Sequence, residues 1–213
     1  MVRRAGRTRT HSADFLARSG TSTVAMSVTD VFHRITSALG EAGITYMLAG
    51  SFASAYYGAP RTTQDIDLVI TASSDQLRTF VRLLSKDQYS VDLDTALEAR
   101  KPQSLFNAVD MATGWKIDLI IRKSRPFSNG EFRRRKLVNL QGRSLFVASA
   151  EDVVVSKLER AKLAHTQRHI EDVAGILRMQ WDSLDRAYLE KWILELRIET
   201  EWNDAPRAAG VSD

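Results

Sequence analysis

Asp65 and Asp67 stand two apart in the apolar run QDIDLVI, and Asp118 stands alone in WKIDLII. Aspartate is depleted in strands, and a carboxylate without a partner is costly to bury. Three of them in strand-like segments therefore require compensation. Residues two apart on a strand project to one face, so Asp65 and Asp67 point together while Ile66 and Leu68 point the other way. Carboxylates held side by side repel and raise each other's pKa unless a cation sits between them. A hard divalent ion, Mg2+ or Mn2+, suits this role, because Mg2+ takes carboxylate oxygens and keeps positions open for water or phosphate. If the strand of Asp118 lies beside that of the pair, the three carboxylates converge, a set able to hold two ions at a phosphoryl displacement. Asp110, across a hairpin, competes with Asp118 for the third position.

A second group of residues suits anions. Gly50-Ser51 follows the apolar run ITYML directly. Glycine admits close backbone approach, and the free N–H groups of a helix starting at Ser51 attract phosphates; the same pair also serves as an ordinary turn with Ser51 as helix cap. Arg61 suits a phosphate or an acidic neighbour. Lys157 and Arg160 read as cations of a helix, either at the site or on a solvated face, and Arg168 and Asp172 stand at the spacing of a local ion pair. His33, His165 and His169 lack metal-ligand spacing. The run Arg133 to Lys136 suits a polyanionic acceptor or plain solvation.

The elements that must position these residues are legible in outline. Val28, Val31, Phe32, Ile35 and Leu39 recur at helical spacing up to Gly40. ITYMLAG reads as a strand, FASAYY as a short helix ended by Gly58, and QDIDLVI as a second strand. Ser73 and Gln76 form a capping-box pattern before the apolar face Leu77, Phe80, Val81, Leu84. DLDTALEARK reads as helix or loop. SLFNAVD and WKIDLIIRK flank MATG as a hairpin. Arg133 to Lys136 fall in a helix, and LVNLQGRSLFVAS reads as two short strands around Gln141-Gly142. From Ser149 the pattern is helical, with Trp181, Trp192 and Trp202 packing those helices. This order predicts a mixed α/β (α+β) fold: a small mixed sheet backed by helices, with a helical C-terminal portion. The expected division is a disordered basic leader over 1–25, a core over 26–148, the helical portion over 149–202 and a loose tail over 203–213.

The 213-residue chain carries a net charge of +4 and no cysteine. Disulfides and thiolate metal sites are thereby excluded. The charge is local: Arg3, Arg4, Arg7, Arg9 and Arg18 against Asp14 account for all of it, leaving the body neutral. That leader is polar and suits either a phosphate-holding arm or a passive tail, and Met26 is an alternative start. No apolar run approaches the roughly 20 residues of a membrane span, and no secretory signal is evident. The expectation is a soluble cytoplasmic protein.

Gly50-Ser51, then RTTQDIDL, then KIDLI, resembles the pattern of the polymerase-β-type nucleotidyltransferase superfamily. Arg61 to Asp67, with SAEDVVVSKLERA and RHIEDVAGIL, is similar to its AbiEii-like branch, found among toxins of bacterial toxin-antitoxin systems. The resemblance covers roughly residues 44 to 178 and implies a nucleotidyltransferase fold. It further implies that Asp65, Asp67 and Asp118 hold Mg2+ (or Mn2+) and carry catalysis, with Asp118 polarising the acceptor hydroxyl. Gly50, Ser51, Arg61, Lys157 and Asp172 would form the nucleotide-binding set. The implied reaction moves a nucleoside monophosphate from an NTP such as ATP to a hydroxyl, releasing pyrophosphate. RNA such as tRNA is the implied acceptor, and an antitoxin protein the implied partner. Two alternatives stand beside this: a weak or inactive member acting as a regulatory binding protein, and an enzyme acting on a protein or a small molecule such as an aminoglycoside.

Overall fold

The computed structural model describes residues 28–140 and 143–211. The leader over 1–25, the alternative start at Met26 and the Gln141-Gly142 turn lie outside the described residues. The first amphipathic segment forms α1 (Val28–Glu41), burying Val31, Phe32, Ile35 and Leu39. It runs past Gly40, and the chain reverses instead at Gly43, whose φ of +68° suits glycine. Then come β1 (Thr45–Leu48), α2 (Gly50–Tyr57) and β2 (Asp65–Thr71). The capping box forms at the start of α3 (Ser74–Leu83): Ser73 Oγ accepts from the Gln76 N–H at 3.2 Å, and Gln76 Oε1 accepts from the Ser73 N–H at 2.8 Å.

A short strand not foreseen in the sequence, β3 (Tyr89–Val91), precedes α4 (Leu93–Ala99), which resolves the ambiguous DLDTALEARK segment as helix. Asp92 caps it, accepting from the Thr95 N–H at 2.7 Å. The hairpin forms from β4 (Leu105–Asp110) and β5 (Lys116–Ile121). Next come α5 (Pro126–Arg134), β6 (Lys136–Leu140) and β7 (Arg143–Val147). The basic run therefore straddles an element boundary: Arg133 and Arg134 close α5, and Lys136 opens β6.

The strands make one seven-stranded mixed sheet in the order β3-β4-β5-β2-β1-β7-β6. β2 runs parallel to β5 and β1 parallel to β7; the other pairs are antiparallel. Ile66, Leu68, Ile70, Ile117 and Leu119 alternate onto one fully buried face and join the helical side chains Ile35, Leu39, Leu77 and Phe80 in one hydrophobic core. The other face carries Asp67, Val69, Asp118 and Ile120.

After β7, Ser149 caps α6 (Ala150–Ala164), which is followed by α7 (Gln167–Gln180), a 3-10 turn (Trp181–Ser183), α8 (Arg186–Leu196) and α9 (Glu199–Ala209). Trp192 meets Phe127 of α5 edge to face, with ring centroids 5.1 Å apart. The loose tail expected from residue 203 is instead helix as far as Ala209. Pro206 is accommodated inside α9, Ala205 is buried, and Gly210 ends the helix in the left-handed conformation. The apolar contact of Ala205 outweighs the polar composition that suggested a loose end. No helix among the described residues is long and apolar enough to cross a membrane.

Candidate active site

Register assembles the acidic centre. β2 and β5 are parallel neighbours with Asp65 opposite Lys116 and Asp67 opposite Asp118. Asp67 and Asp118 thus come to the same face, as Asp65 does one pleat earlier at the exposed start of β2. Asp110 lies an odd number of residues from Asn107, the register partner of Asp118, so it faces the opposite side. There it is fully buried, pairs with Arg34, and accepts from the Ala112 and Thr113 N–H groups at 3.1 and 3.0 Å. Its role is to close the hairpin.

Lys116, absent from the expected site residues, pairs with Asp118. Its Nζ lies 2.9 Å from Asp118 Oδ1. The Asp118 hydrogen bond is the chief cause raising its pKa, with further attraction from Asp118, Asp65 and Asp67. The spacing Lys116-x-Asp118 is itself a same-face signal. Asn107 Nδ2 also donates to Asp118, a contact readable only once the hairpin register is known.

The anion-binding turn differs from its expected form. Ala49, not Ser51, is the N-cap of α2, and Ser51 lies within the helix. Gly50 has φ +61°, and a Cβ there would fall 1.9 Å from Asp67 Oδ2. Glycine is needed because the carboxylate packs against the backbone. The Ser51 N–H donates to that carboxylate, so the helix N-terminus already faces an anion. Burial pushes the Asp67 carboxyl above its ordinary value; Asp118 adds to the push, while Arg160, Lys157 and the Ser51 N–H hold it back.

Ser51 Oγ, freed from capping, accepts from Arg61. Arg61 Nε and Nη2 also donate to Asp172 Oδ1 and Oδ2 at 2.6 and 3.1 Å. Lys157 Nζ reaches Asp172 Oδ2 at 2.6 Å, with side chains only 4% and 5% exposed. Neither a solvated helix face for Lys157 nor a local pair of Asp172 with Arg168 describes this arrangement; Arg168 is exposed. Close packing of α2 against α7 makes it possible: a Cβ on Gly58 would lie 2.6 Å from the Gly175 backbone, and Gly175 follows Asp172 by one turn. Burial opposes charge on both Lys157 and Asp172. It wins at Lys157, whose pKa is lowered, and is outweighed at Asp172 by the bonds from Arg61 and Lys157. His169 beside them is lowered by burial and then by Lys157.

The basic run is largely consumed internally. Arg134 donates to Glu151 and Asp152 at 3.0 and 3.2 Å and covers the Tyr188 ring, and Arg135 donates to the Phe132 carbonyl at 2.6 Å. Arg133 and Lys136 remain exposed.

A cavity of about 250 Å³ opens beside Asp67, between β2, β5, α5 and α6. Carboxylate oxygens on one face, an Asp67 carboxyl raised chiefly by burial, and the Gly50 approach fit a hard divalent ion as a donor set. No three acids or histidines among the described residues converge as a ready-made metal cage. Asp65 is exposed and Asp118 is turned to Lys116 and Asn107, so the expected three-way convergence is limited to a shared face.

No known family profile matches the chain, and no curated protein matches it. Solved structures do. The solution structure of the antibiotic-resistance factor ANT(2'')-Ia aligns with a TM-score of 0.54 at 16% identity, covering 85% of this chain and 97% of that one. The crystal structure of ANT(2'')-Ia in complex with adenylyl-2''-tobramycin aligns with a TM-score of 0.50 at 16% identity, covering 80% and 97%. The chain has a nucleotidyltransferase-like fold.

Proposed function

We propose that the protein is a nucleotidyltransferase that moves a nucleoside monophosphate from an NTP to an acceptor hydroxyl. The observation that carries this is the register pairing of Asp67 with Asp118 beside the Gly50 turn. Asp65, Asp67 and Asp118 would hold Mg2+ or Mn2+, which when bound supplies charge neutralisation for the transferring group. Lys157 and Arg61, anchored by Asp172, with the Gly50 turn and the Ser51 hydroxyl beside Arg61, bind the triphosphate. Asp118 orients the acceptor hydroxyl. The acceptor oxygen forms a bond to the α-phosphorus and gives up its proton towards Asp118 and solvent as the bond to the pyrophosphate oxygen breaks, and pyrophosphate leaves. Fixed cations oppose the charge that develops.

Two acceptors are supported by different observations. The AbiEii-like motifs favour RNA such as tRNA, with a toxin role and an antitoxin partner. The likeness to a fold solved with adenylyl-2''-tobramycin favours a small polyhydroxyl compound, as does the internal use of Arg134 and Arg135.

The test incubates the protein with each α-labelled NTP, Mg2+ or Mn2+, and total RNA, protein extract or an aminoglycoside panel, beside Asp65→Ala, Asp67→Ala. Label that enters one acceptor and is lost in the variant supports the proposal. Absence of label in every acceptor, together with absent NTP binding, contradicts it and favours a regulatory binding protein. Growth arrest on expression, relieved by the same change, identifies the toxin role.

A further inference from the structure

Glu131 is unused by the mechanism above. It lies on α5 and is 7% exposed, yet it lines the cavity beside Asp67. Its Oε1 accepts from Ser156 Oγ at 3.0 Å; no other hydrogen bond to it is formed among the described residues. The neighbouring cation, Arg125, is committed to Glu159 through Nη1 and Nη2 and to Ser128 through Nε. A carboxyl with one hydroxyl donor and no ion pair is a poor structural element in a core. It is a good ligand for something entering the cavity.

The cavity's walls indicate what enters. Gly50 and Lys157, proposed to meet the triphosphate, and Asp67, proposed to hold the metal, are in its lining, whereas Asp65 and Asp118 are absent from it. The acceptor hydroxyl must approach Asp118, so this is the donor's side. The same lining holds apolar side chains, Val69 and Ile120 on the sheet and Val153 on α6, together with Glu131, Ser156 and the cations Arg125 and Arg160. Apolar side chains on the sheet and on α6, beside a buried carboxyl, suit a flat heterocycle with hydrogen-bonding edges.

We propose that this cavity receives the nucleobase of the donor NTP and that Glu131, braced by Ser156, hydrogen-bonds the edge of that base and sets which NTP is preferred. The assignment rests on the nucleotidyltransferase reading and deepens it. Because Ser156 donates to Oε1, the other carboxyl oxygen is left for the base. Glu131 faces Ser156, Asp152 and Glu159 of α6 and Arg125 ahead of α5; burial first, then repulsion by Asp152, pushes its carboxyl up to about 8. At neutral pH it is therefore an acid that can donate a proton to a ring nitrogen or carbonyl of the base. A site built on such a bond discriminates strongly, since the wrong base leaves a buried polar group unpaired.

The test measures equilibrium binding of ATP, GTP, CTP and UTP with Mg2+ to the full chain, to Glu131→Gln and to Glu131→Ala. Wild type is expected to prefer one base by about tenfold or more. Glu131→Gln, which keeps a donor and an acceptor, retains the order. Glu131→Ala, still gripping the triphosphate, brings the four affinities within about threefold of one another. A ratio unchanged in Glu131→Ala, or no preference in wild type, overturns the assignment while leaving nucleotidyl transfer intact. Absence of binding by any NTP overturns both.

Discussion

Asp67 on β2 and Asp118 on β5 are direct register partners in parallel strands, and their carboxylates occupy one face of the sheet. Side-by-side acids would destabilise this sheet if left uncompensated. Lys116 beside Asp118 and the Ser51 amide on Asp67 meet part of the demand. What remains is a carboxyl raised by burial at the head of a cavity, where further positive charge is favourable.

Gly50→Ala should slow nucleotidyl transfer roughly 100-fold while the rest of the fold persists. The added Cβ would fall 1.9 Å from Asp67 Oδ2 at a φ of +61°, so the carboxylate or the turn must shift. A displacement on the order of 1 Å costs roughly 100-fold in rate. Steady-state label transfer should show that loss, with far-UV circular dichroism unchanged.

Lys157→Met should lower stability by about 3 kcal/mol. It leaves Asp172, buried to 5% exposure, with Arg61 as its remaining cation. Adding Asp172→Asn should recover part of the loss, because it removes the buried carboxylate that has lost its lysine, while Arg61, more exposed than Lys157, gives up its acid partner at smaller cost. Urea unfolding of the two variants measures this, and both should bind ATP more weakly than wild type.

Lys116→Met should make the protein more responsive to divalent ions. The variant removes the cation beside Asp118, so added Mg2+ meets a larger uncompensated charge. Differential scanning calorimetry should show a larger rise in Tm with Mg2+ than in wild type. A concentration tenfold above Kd contributes about 1.4 kcal/mol.

Stability should fall as pH rises from about 4.3, the ordinary glutamate value, towards the value of about 8 at Glu131. With the folded-state value raised, the contribution is fully present below the unfolded value and lost as pH passes through the folded one. Glu131→Gln should remove this slope. Denaturant unfolding at pH 5 and pH 8 should differ by roughly 3 to 4 kcal/mol more in wild type than in the variant.

The site was legible where strand periodicity carried it. Asp65, Asp67 and Asp118 announce themselves as acids inside apolar runs, and Gly50 as a glycine at a strand's end. Local patterns such as the Ser73–Gln76 capping box also translate directly into structure, because their bonds span few residues. Long-range partners do not. The Arg61–Asp172 contact joins residues 111 apart in the chain, and Lys157 looks like a surface lysine until α6 and α7 are packed. Ser51 has the residue type of a cap and instead serves Arg61, since the helix is capped two residues earlier, at Ala49. Glu131 gave no signal, because nothing in FSNGEFRRR separates a buried glutamate from an exposed one. At α9 the polar composition misled, the decisive contact being the burial of Ala205.

Electron paramagnetic resonance of Mn2+ titrated into the protein with ATP tests the acidic face most directly, because bound Mn2+ leaves the free-ion signal. The account predicts saturable, ATP-dependent uptake by wild type and its disappearance in Asp67→Asn, Asp118→Asn. Equal uptake by the two proteins would contradict it.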